Sequence, residues 1–471
     1  MNRTGDGVIP PTAPAVNAYT TARLLLLSFL ATILIGTTLL ALPVSHNPEP
    51  VHVSWIDALF TATSAVCVTG LTVLDTGTTF SRFGQGVILL LIQVGGLGIL
   101  TFSTFFIVQR QGRRGGMEIS QRLLVETAHG NLSRVTPRHL LTIIVLFTLG
   151  SEALGSLLLW WNFAEDFQGL EALWMGVFHA VSAFCNAGFG LLPDNLIRYR
   201  GDWGVNLTIM TLIILGGLGF LVVADLLTQL RTRLAGKEPR FTLHTRLVLR
   251  TSAWLIVLGW SGILLAEWGN RTPDHPSASL ILESLFLSVT SRTAGFNTVL
   301  MDQLTNTTLL LVIVLMFIGG SPGSTAGGIK TTTLAVCHAV LRSRAKNRPK
   351  VECLERTLSE ETVARALMVV GGYLLATLCG VLSLQMVEEG SRAFHETPGN
   401  SLLAYLFETV SALGTVGLTT GLTASLSGAG KGVVIMLMFI GRVGPLLLAT
   451  VLIGETRQVR FSYPEESVNI G

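Results

Sequence analysis

FTATSAVCVTGL, residues 60–71, is the stretch on which the reading of this chain turns, because it comes back three times. Its returns are FHAVSAFCNAGF at 178–189, LFLSVTSRTAGF at 285–296 and FETVSALGTVGL at 407–418. Three of the four share F-x3-S-A-x4-G, and the third keeps the spacing while changing the residues. A large apolar residue follows each glycine: Leu71, Phe189, Phe296 and Leu418. A second motif trails the first by 24 to 28 residues. It reads Gly95-Gly96-Leu97-Gly98, Gly216-Gly217-Leu218-Gly219, Gly319-Gly320-Ser321-Pro322-Gly323 and Gly441-Arg442-Val443-Gly444. Two matched signals at one period mark an internal repeat.

The sequence between these motifs is apolar. Leu24 to Pro43, Phe83 to Gln109 and Ala366 to Val387 contain no Asp, Glu, Lys or Arg. Each reaches the roughly 20 residues that a helix needs to cross the hydrocarbon core. Residues 139–161, 203–224, 251–266, 303–318 and 433–454 are further candidates, so about eight spans are expected. Only 13% of the 471 residues are charged, against about 25% in soluble domains. A soluble protein is excluded, and a net charge of +3 gives nucleic acid nothing to hold. The five cysteines show no CxxC spacing, so neither a zinc site nor a disulfide framework is indicated.

Basic residues orient the chain. They crowd segments 110–138, 231–250 and 342–365, while 44–54 and 162–171 carry none and 268–278 and 388–400 carry one each. The basic segments and both termini are therefore expected on the cytoplasmic side of a cell (inner) membrane. The polar start, Met1 to Thr21, reads as a short tail and not as a signal peptide.

The expected architecture is all-α and integral to the membrane, with four M1-P-M2 repeats (spanning helix, re-entrant half-helix and loop, spanning helix) around a central pore. Repeat one covers 23–115, repeat two 116–238, repeat three 239–350 and repeat four 351–456, between tails 1–22 and 457–471. Non-helical backbone at membrane depth is tolerated only where it is buried in protein or lines a cavity. Four such loops around an axis would offer carbonyl oxygens in place of an ion's hydration shell, as the TVGYG loops of potassium channels do. The candidate ion-binding residues are Val68, Thr69 and Gly70; Asn186, Ala187 and Gly188; Thr293, Ala294 and Gly295; and Thr415, Val416 and Gly417. The half-helix C-termini add partial negative charge that favours a cation.

These four segments and the stretch GGSPGSTAGGIKTT, residues 319–332, resemble the Trk/Ktr/HKT superfamily of potassium transporters from about Arg23 to Gly454. The first apolar helix leads directly into the first loop, without the added helix pair of the TrkH branch, which makes the chain most similar to the KtrB branch. The resemblance implies potassium uptake through a selectivity filter, a homodimer with one pore per subunit, and a cytosolic KtrA-like nucleotide-binding ring. ATP or ADP would bind that ring and not this chain, and sodium dependence is a property of several Ktr systems. No enzyme motif is found. The competing reading is a sodium-coupled secondary transporter of another small solute, a class that usually pairs two broken helices in inverted halves.

Arg442 lies in an apolar helix, where an arginine costs at least ~2.5 kcal/mol and is a functional hypothesis by default. The resemblance assigns it to a constriction below the filter; a salt bridge to Glu152, Glu283 or Glu408 is the structural alternative, and both can hold. The stretch Gly319, Gly320, Ser321, Pro322, Gly323, Ser324, Thr325, Ala326, Gly327 and Gly328 should break the third inner helix, because glycine and proline are costly in a helix interior. The resemblance makes it an intramembrane gating loop, and a bare kink is the alternative. Arg442 can hold the loop by donating to its carbonyls or hydroxyls, and the ring would open it by pulling the adjoining helix from Lys330 onward. This is expected to be the one broken helix. Asp57, Glu171 and Glu283 are placed near half-helix starts, where carboxylates suit the dipole. His179 reads as a packed histidine, and the basic segments could dock the ring or attract anionic membrane lipid.

Overall fold

The repeated motif forms four helices of similar, short length. In the computed structural model, which describes residues 18–48, 53–111, 137–270, 277–390 and 401–445, they are α2 (Trp55–Cys67), α5 (Gly169–Phe184), α9 (Ser277–Thr290) and α13 (Ser401–Gly414). The helices around them are α1 (Ala18–Leu40), α3 (Arg82–Gln111), α4 (Pro137–Phe163), α6 (Trp203–Gly217), α7 (Phe220–Leu234), α8 (Leu243–Glu267), α10 (Asn306–Phe317), α11 (Thr331–Ala345), α12 (Glu360–Glu388) and α14 (Gly428–Val443). Most of the expected tails 1–22 and 457–471, the centre of segment 110–138 and the end of candidate span 433–454 lie outside the described residues.

Among the described residues three helices are long and apolar enough to cross a membrane alone: Leu141–Phe163, Leu243–Glu267 and Glu360–Glu388. The α6–α7 pair makes a fourth if it is counted as one bent span. Leu25–Leu40, Arg82–Gly98 and Asn306–Phe317 are apolar but shorter. Leucines at 146, 154, 157, 367, 374, 375, 378 and 382 all stand exposed. Such patches on a soluble surface would invite association; here they offer an apolar face to lipid. The fold is that of a helical membrane protein.

Each half-helix stops because its chain turns left-handed. Val68, Asn186, Thr293 and Thr415 have φ of 56°, 60°, 71° and 51°. Beyond each turn one main-chain bond reaches back into the helix: Thr69 N to Ser64 O, Ala187 N to Ser182 O, Ala294 N to Thr290 O and Val416 N to Ser411 O, at 2.8–2.9 Å. The serine of the motif has a purpose in two repeats. The N–H groups of Gly70 and Gly417 donate to the hydroxyls of Ser64 and Ser411, both at 3.1 Å. In the third repeat Val289 replaces that serine, and Thr290 instead donates to the Phe296 carbonyl at 2.7 Å.

The second motif is explained by close approach. A Cβ added at Gly95, Gly216 or Gly441 would overlap the carbonyl oxygen of Val66, Phe184 or Leu413. Each of those carbonyls lies four residues before a loop glycine, so the inner helix can touch the half-helix end only where it has no side chain.

Four expectations need correction. The candidate span 203–224 is not one straight helix: α6 and α7 meet at 96°, because Gly219 adopts φ 90°. The third inner helix is therefore not the only broken one. Glu283 lies in the middle of α9, since that helix begins as far back as Ser277. The chain is also not purely helical. Glu352–Cys353 and Arg356–Thr357 pair as a small antiparallel hairpin, turned by Leu354 and Glu355, which both have positive φ.

Candidate functional site

The four loops meet edge to edge. A Cβ on Gly70 would lie 3.1 Å from the Cα of Gly188; one on Gly188, 2.8 Å from that of Gly295; one on Gly295, 3.1 Å from that of Gly417; and one on Gly417, 3.1 Å from that of Gly70. The sequence of neighbours closes on itself. Between neighbours stand carbonyl oxygens: Ala187 O beside Gly70, Ala294 O beside Gly188, Val416 O beside Gly295 and Thr69 O beside Gly417. All four glycines have φ between 69° and 99°, a region closed to most other residues. The apolar residues after them, Leu71, Phe189, Phe296 and Leu418, are buried.

The sequence-predicted ion-binding residues are thus brought into one ring. The hydroxyls of Thr69, Thr293 and Thr415 and the amide nitrogen of Asn186 are buried there without a hydrogen-bond partner among the described residues. Buried polar groups are nearly always paired, so such a cluster marks a place where a ligand or water completes the pairing.

Against the ring lies the 319–328 stretch. Its ends are zipped together: Gly319 N donates to Ile329 O at 2.9 Å, and Thr331 N to Gly320 O at 3.0 Å. Its middle bonds to the bend between α6 and α7. Ser321 N donates to Gly217 O (3.0 Å), Thr325 N to Gly216 O (3.3 Å), and Phe220 N to Gly323 O (2.8 Å). Backbone groups freed by one broken helix are satisfied by the other. The stretch touches the ring at two points. Thr325 reaches Asn186, and a Cβ on Gly327 would lie 3.2 Å from Cβ of Thr415.

Three cationic side chains hold this stretch by its carbonyls. Arg442, 8% exposed, donates to Thr325 O and also to Gly95 O in α3. Lys330 Nζ donates to Ala326 O at 2.7 Å and to Gly327 O at 3.3 Å. Arg292 donates to Gly319 O at 3.4 Å and to the Ser252 hydroxyl at 3.4 Å. Arg442 is absent from the ion pairs of the described residues. Glu152 instead accepts from Gln93 at 3.3 Å, and Glu408 from Thr419 at 3.0 Å and from Thr423.

Arg292 was not anticipated. Its signal was visible, since SRTAG puts a charge where the other three segments have none at that position. The reach of Arg442 to Gly95 had no sequence signal, because nothing local links residues so distant. His179 is packed as expected: Nδ1 meets Met175 O at 2.8 Å, and Phe163, Phe178 and Phe296 surround the ring. Asp57 forms a capping box with Ser54 and pairs with Lys431 at 2.7 Å, and Glu171 stands in the first turn of α5.

Comparison with known proteins finds relatives along almost the whole chain. The profile of the TrkH family, described as cation transport protein, matches residues 16–458. Over 455 residues the chain is 38% identical to the Ktr system potassium uptake protein B of Bacillus subtilis, covering 96% of this chain and 97% of the relative. It is 37% identical to the potassium/sodium uptake protein NtpJ of Enterococcus hirae, covering 95% and 97%. Among solved structures, the potassium transporter TrkH of Vibrio parahaemolyticus superposes with a TM-score of 0.69 at 18% identity, over 93% of this chain and 85% of the other.

Proposed function

The chain belongs to the TrkH family of cation transport proteins, and from that premise we propose that it carries potassium into the cell through the centre of the four-loop ring. The observation that carries the reading is the closure of that ring: Gly70, Gly188, Gly295 and Gly417 are each neighbour to the next. A cation leaving water must be given oxygens in its place, and main-chain carbonyls in four loops are a known way to do so. We read residues 68–70, 186–188, 293–295 and 415–417 as that filter. The chain then comprises four M1-P-M2 repeats with the boundaries given above, and crosses the cell membrane with both termini in the cytoplasm.

The 319–328 stretch is read as the gate. It lies against two of the filter loops and is held by hydrogen bonds and not by helix, so it can move without unfolding a span. Arg442, Lys330 and Arg292 hold it shut and raise the electrostatic barrier to a cation. A homodimer and a cytosolic nucleotide-binding ring complete the proposed system, the ring meeting segments 231–250 and 342–365, whose basic residues are largely exposed. Sodium as a second transported or coupling ion is favoured by the Enterococcus hirae relative, which is named for both ions.

The test is rubidium-86 uptake by cells that lack other potassium systems, with and without sodium. Expression of this chain with a cognate ring should restore uptake that potassium competes away. Correctly inserted protein that gives no uptake above the empty vector would remove the proposal.

A further inference from the structure

Thr325 makes more connections than any other residue of the 319–328 stretch. Its N–H donates to Gly216 O and its carbonyl accepts from Arg442. Its hydroxyl lies 3.2 Å from Phe184 O and 3.2 Å from the side-chain oxygen of Asn186. The first two tie the stretch to its scaffold. The last reaches a filter loop.

Asn186 occupies the first position of the second loop, where the others have Val68, Thr293 and Thr415. Its side-chain oxygen is the one that meets the Thr325 hydroxyl. The residue is 1% exposed, and its amide nitrogen has no partner among the described residues. It has little room on one side, since a Cβ at Gly216 would lie 2.8 Å from its oxygen. On the other it borders a narrow crevice of about 30 Å³ whose polar lining includes Ser252 and Arg292. The carboxamide is thus anchored at one atom, with space to turn once that anchor is lost.

We propose that Asn186 and Thr325 form a latch between the gate and the filter, so that movement of the 319–328 stretch loosens the second filter loop. The inference rests on the gate reading above. The Thr325 hydroxyl has one proton to give. While the stretch is in place, that proton is shared between Phe184 O and Asn186. When the stretch withdraws, the carboxamide loses its bond and rotates into the crevice. Selectivity then depends on the state of the gate, through one side chain that three of the four loops lack.

The experiment measures rubidium-86 flux and potassium-over-sodium competition in liposomes holding the full chain without its ring, with insertion checked by size exclusion. Thr325→Val keeps the branched shape and removes the donor; Thr325→Ala serves if the valine variant does not insert. Either should raise flux about threefold to tenfold and lower potassium-over-sodium discrimination at least threefold. Asn186→Val, the residue of the first loop, should raise flux by a similar factor, and the double variant should add nothing further. Thr325→Ser keeps the donor and should bring both readouts back toward the parent. Independent, multiplying effects of the two substitutions, or a Thr325→Val protein with parental flux and discrimination, overturn the latch. Deletion of Ser321–Ser324 separates the two readings. If it raises flux while Thr325→Val is silent, the latch falls and the gate stands; if it leaves flux unchanged, the gate reading falls and the latch with it.

Discussion

The inner helix of the first repeat and that of the third carry glycine clusters at nearly the same distance from their loops, 25 and 24 residues, yet they end differently. Gly95 to Gly98 runs inside the unbroken α3. The chain leaves the helix after Phe317 and re-enters it at Thr331. Glycine alone does not break a membrane helix. Each one costs ~1 kcal/mol against alanine, but an unpaired backbone group in hydrocarbon costs several. What separates the two regions is Pro322, which has no N–H and would clash with the carbonyl of Ile318 in a continued helix, together with ready partners for the freed groups. Gly216 and Gly217 carbonyls accept from the stretch, and Gly323 returns a carbonyl to Phe220. A break is tolerated where a second break receives it.

Arg442 touches both regions, since it donates to Gly95 O in α3 and to Thr325 O in the broken segment. Its removal should affect them unequally. The helix keeps its own ladder, whereas the stretch loses a charge-assisted bond in a dry site, a bond of the stronger kind. Arg442→Ala should raise rubidium flux about tenfold in the absence of the ring and weaken activation by the ring. Arg442→Lys, which keeps the charge but lacks the planar guanidinium fork that reaches from Thr325 O to Gly95 O, should fall between. Parental flux in both variants would mean that the arginine serves packing, and that the two regions are not coupled through it.

The comparison also shows what a sequence can and cannot tell. The fourfold motif was legible because each copy needs the same local device: a half-helix stopped by a left-handed residue, then a glycine pressed against the next loop. Gly70 was legible as part of that device, and Arg442 because an arginine is a residue type that an apolar helix ought to reject. The bend at Gly219 was not. Gly-Gly-Leu-Gly occurs at 95–98 and at 216–219, straight in one case and bent by 96° in the other. At the bend Gly219 adopts φ 90° and the distant 319–328 stretch takes the freed backbone groups at Gly216, Gly217 and Phe220, partners that the four residues themselves do not announce. The hydroxyls of Thr419 and Thr423, which engage Glu408, and the contact of Asn186 with Thr325 are likewise tertiary pairings that no spacing announces.

Above the inner helices the repeats are more alike, and a substitution in one loop should be felt by its neighbour. Serine at Gly70 would place Cβ 3.1 Å from Cα of Gly188 and against Ala187 O, at a φ of 93° that L-residues rarely adopt. The strain falls on two loops at once. Potassium-over-sodium discrimination, measured as the ratio of competing concentrations in rubidium uptake, should fall at least threefold. An inserted Gly70→Ser protein with the parental ratio would show that the ring does not set selectivity.

The smallest effect bears most directly on why one glycine cluster is straight and the other bent. Gly98 and Gly219 close the same four-residue motif in α3 and at the α6–α7 bend. An added Cβ at Gly98 meets no atom of the described residues within 4 Å, and the residue sits inside a continuous helix. Alanine there should gain up to ~1 kcal/mol from helix propensity and from a less flexible unfolded chain. At Gly219 the φ of 90° penalises any Cβ, and the new atom would lie 2.6 Å from the Pro322 carbonyl. That combination should cost roughly 1–3 kcal/mol, the range for a residue held in a disfavoured backbone region. In a scan of detergent-solubilised protein, the apparent Tm of Gly98→Ala should stay level or rise, while that of Gly219→Ala should drop by a few degrees. The drop has a specific cause if a companion deletion of Ser321–Ser324 reduces it, because the clashing carbonyl then leaves with the stretch. Equal shifts at the two positions would mean that the bend does not depend on Gly219, and that the path of α6 into α7 is dictated by the packing of Phe220 and its neighbours instead.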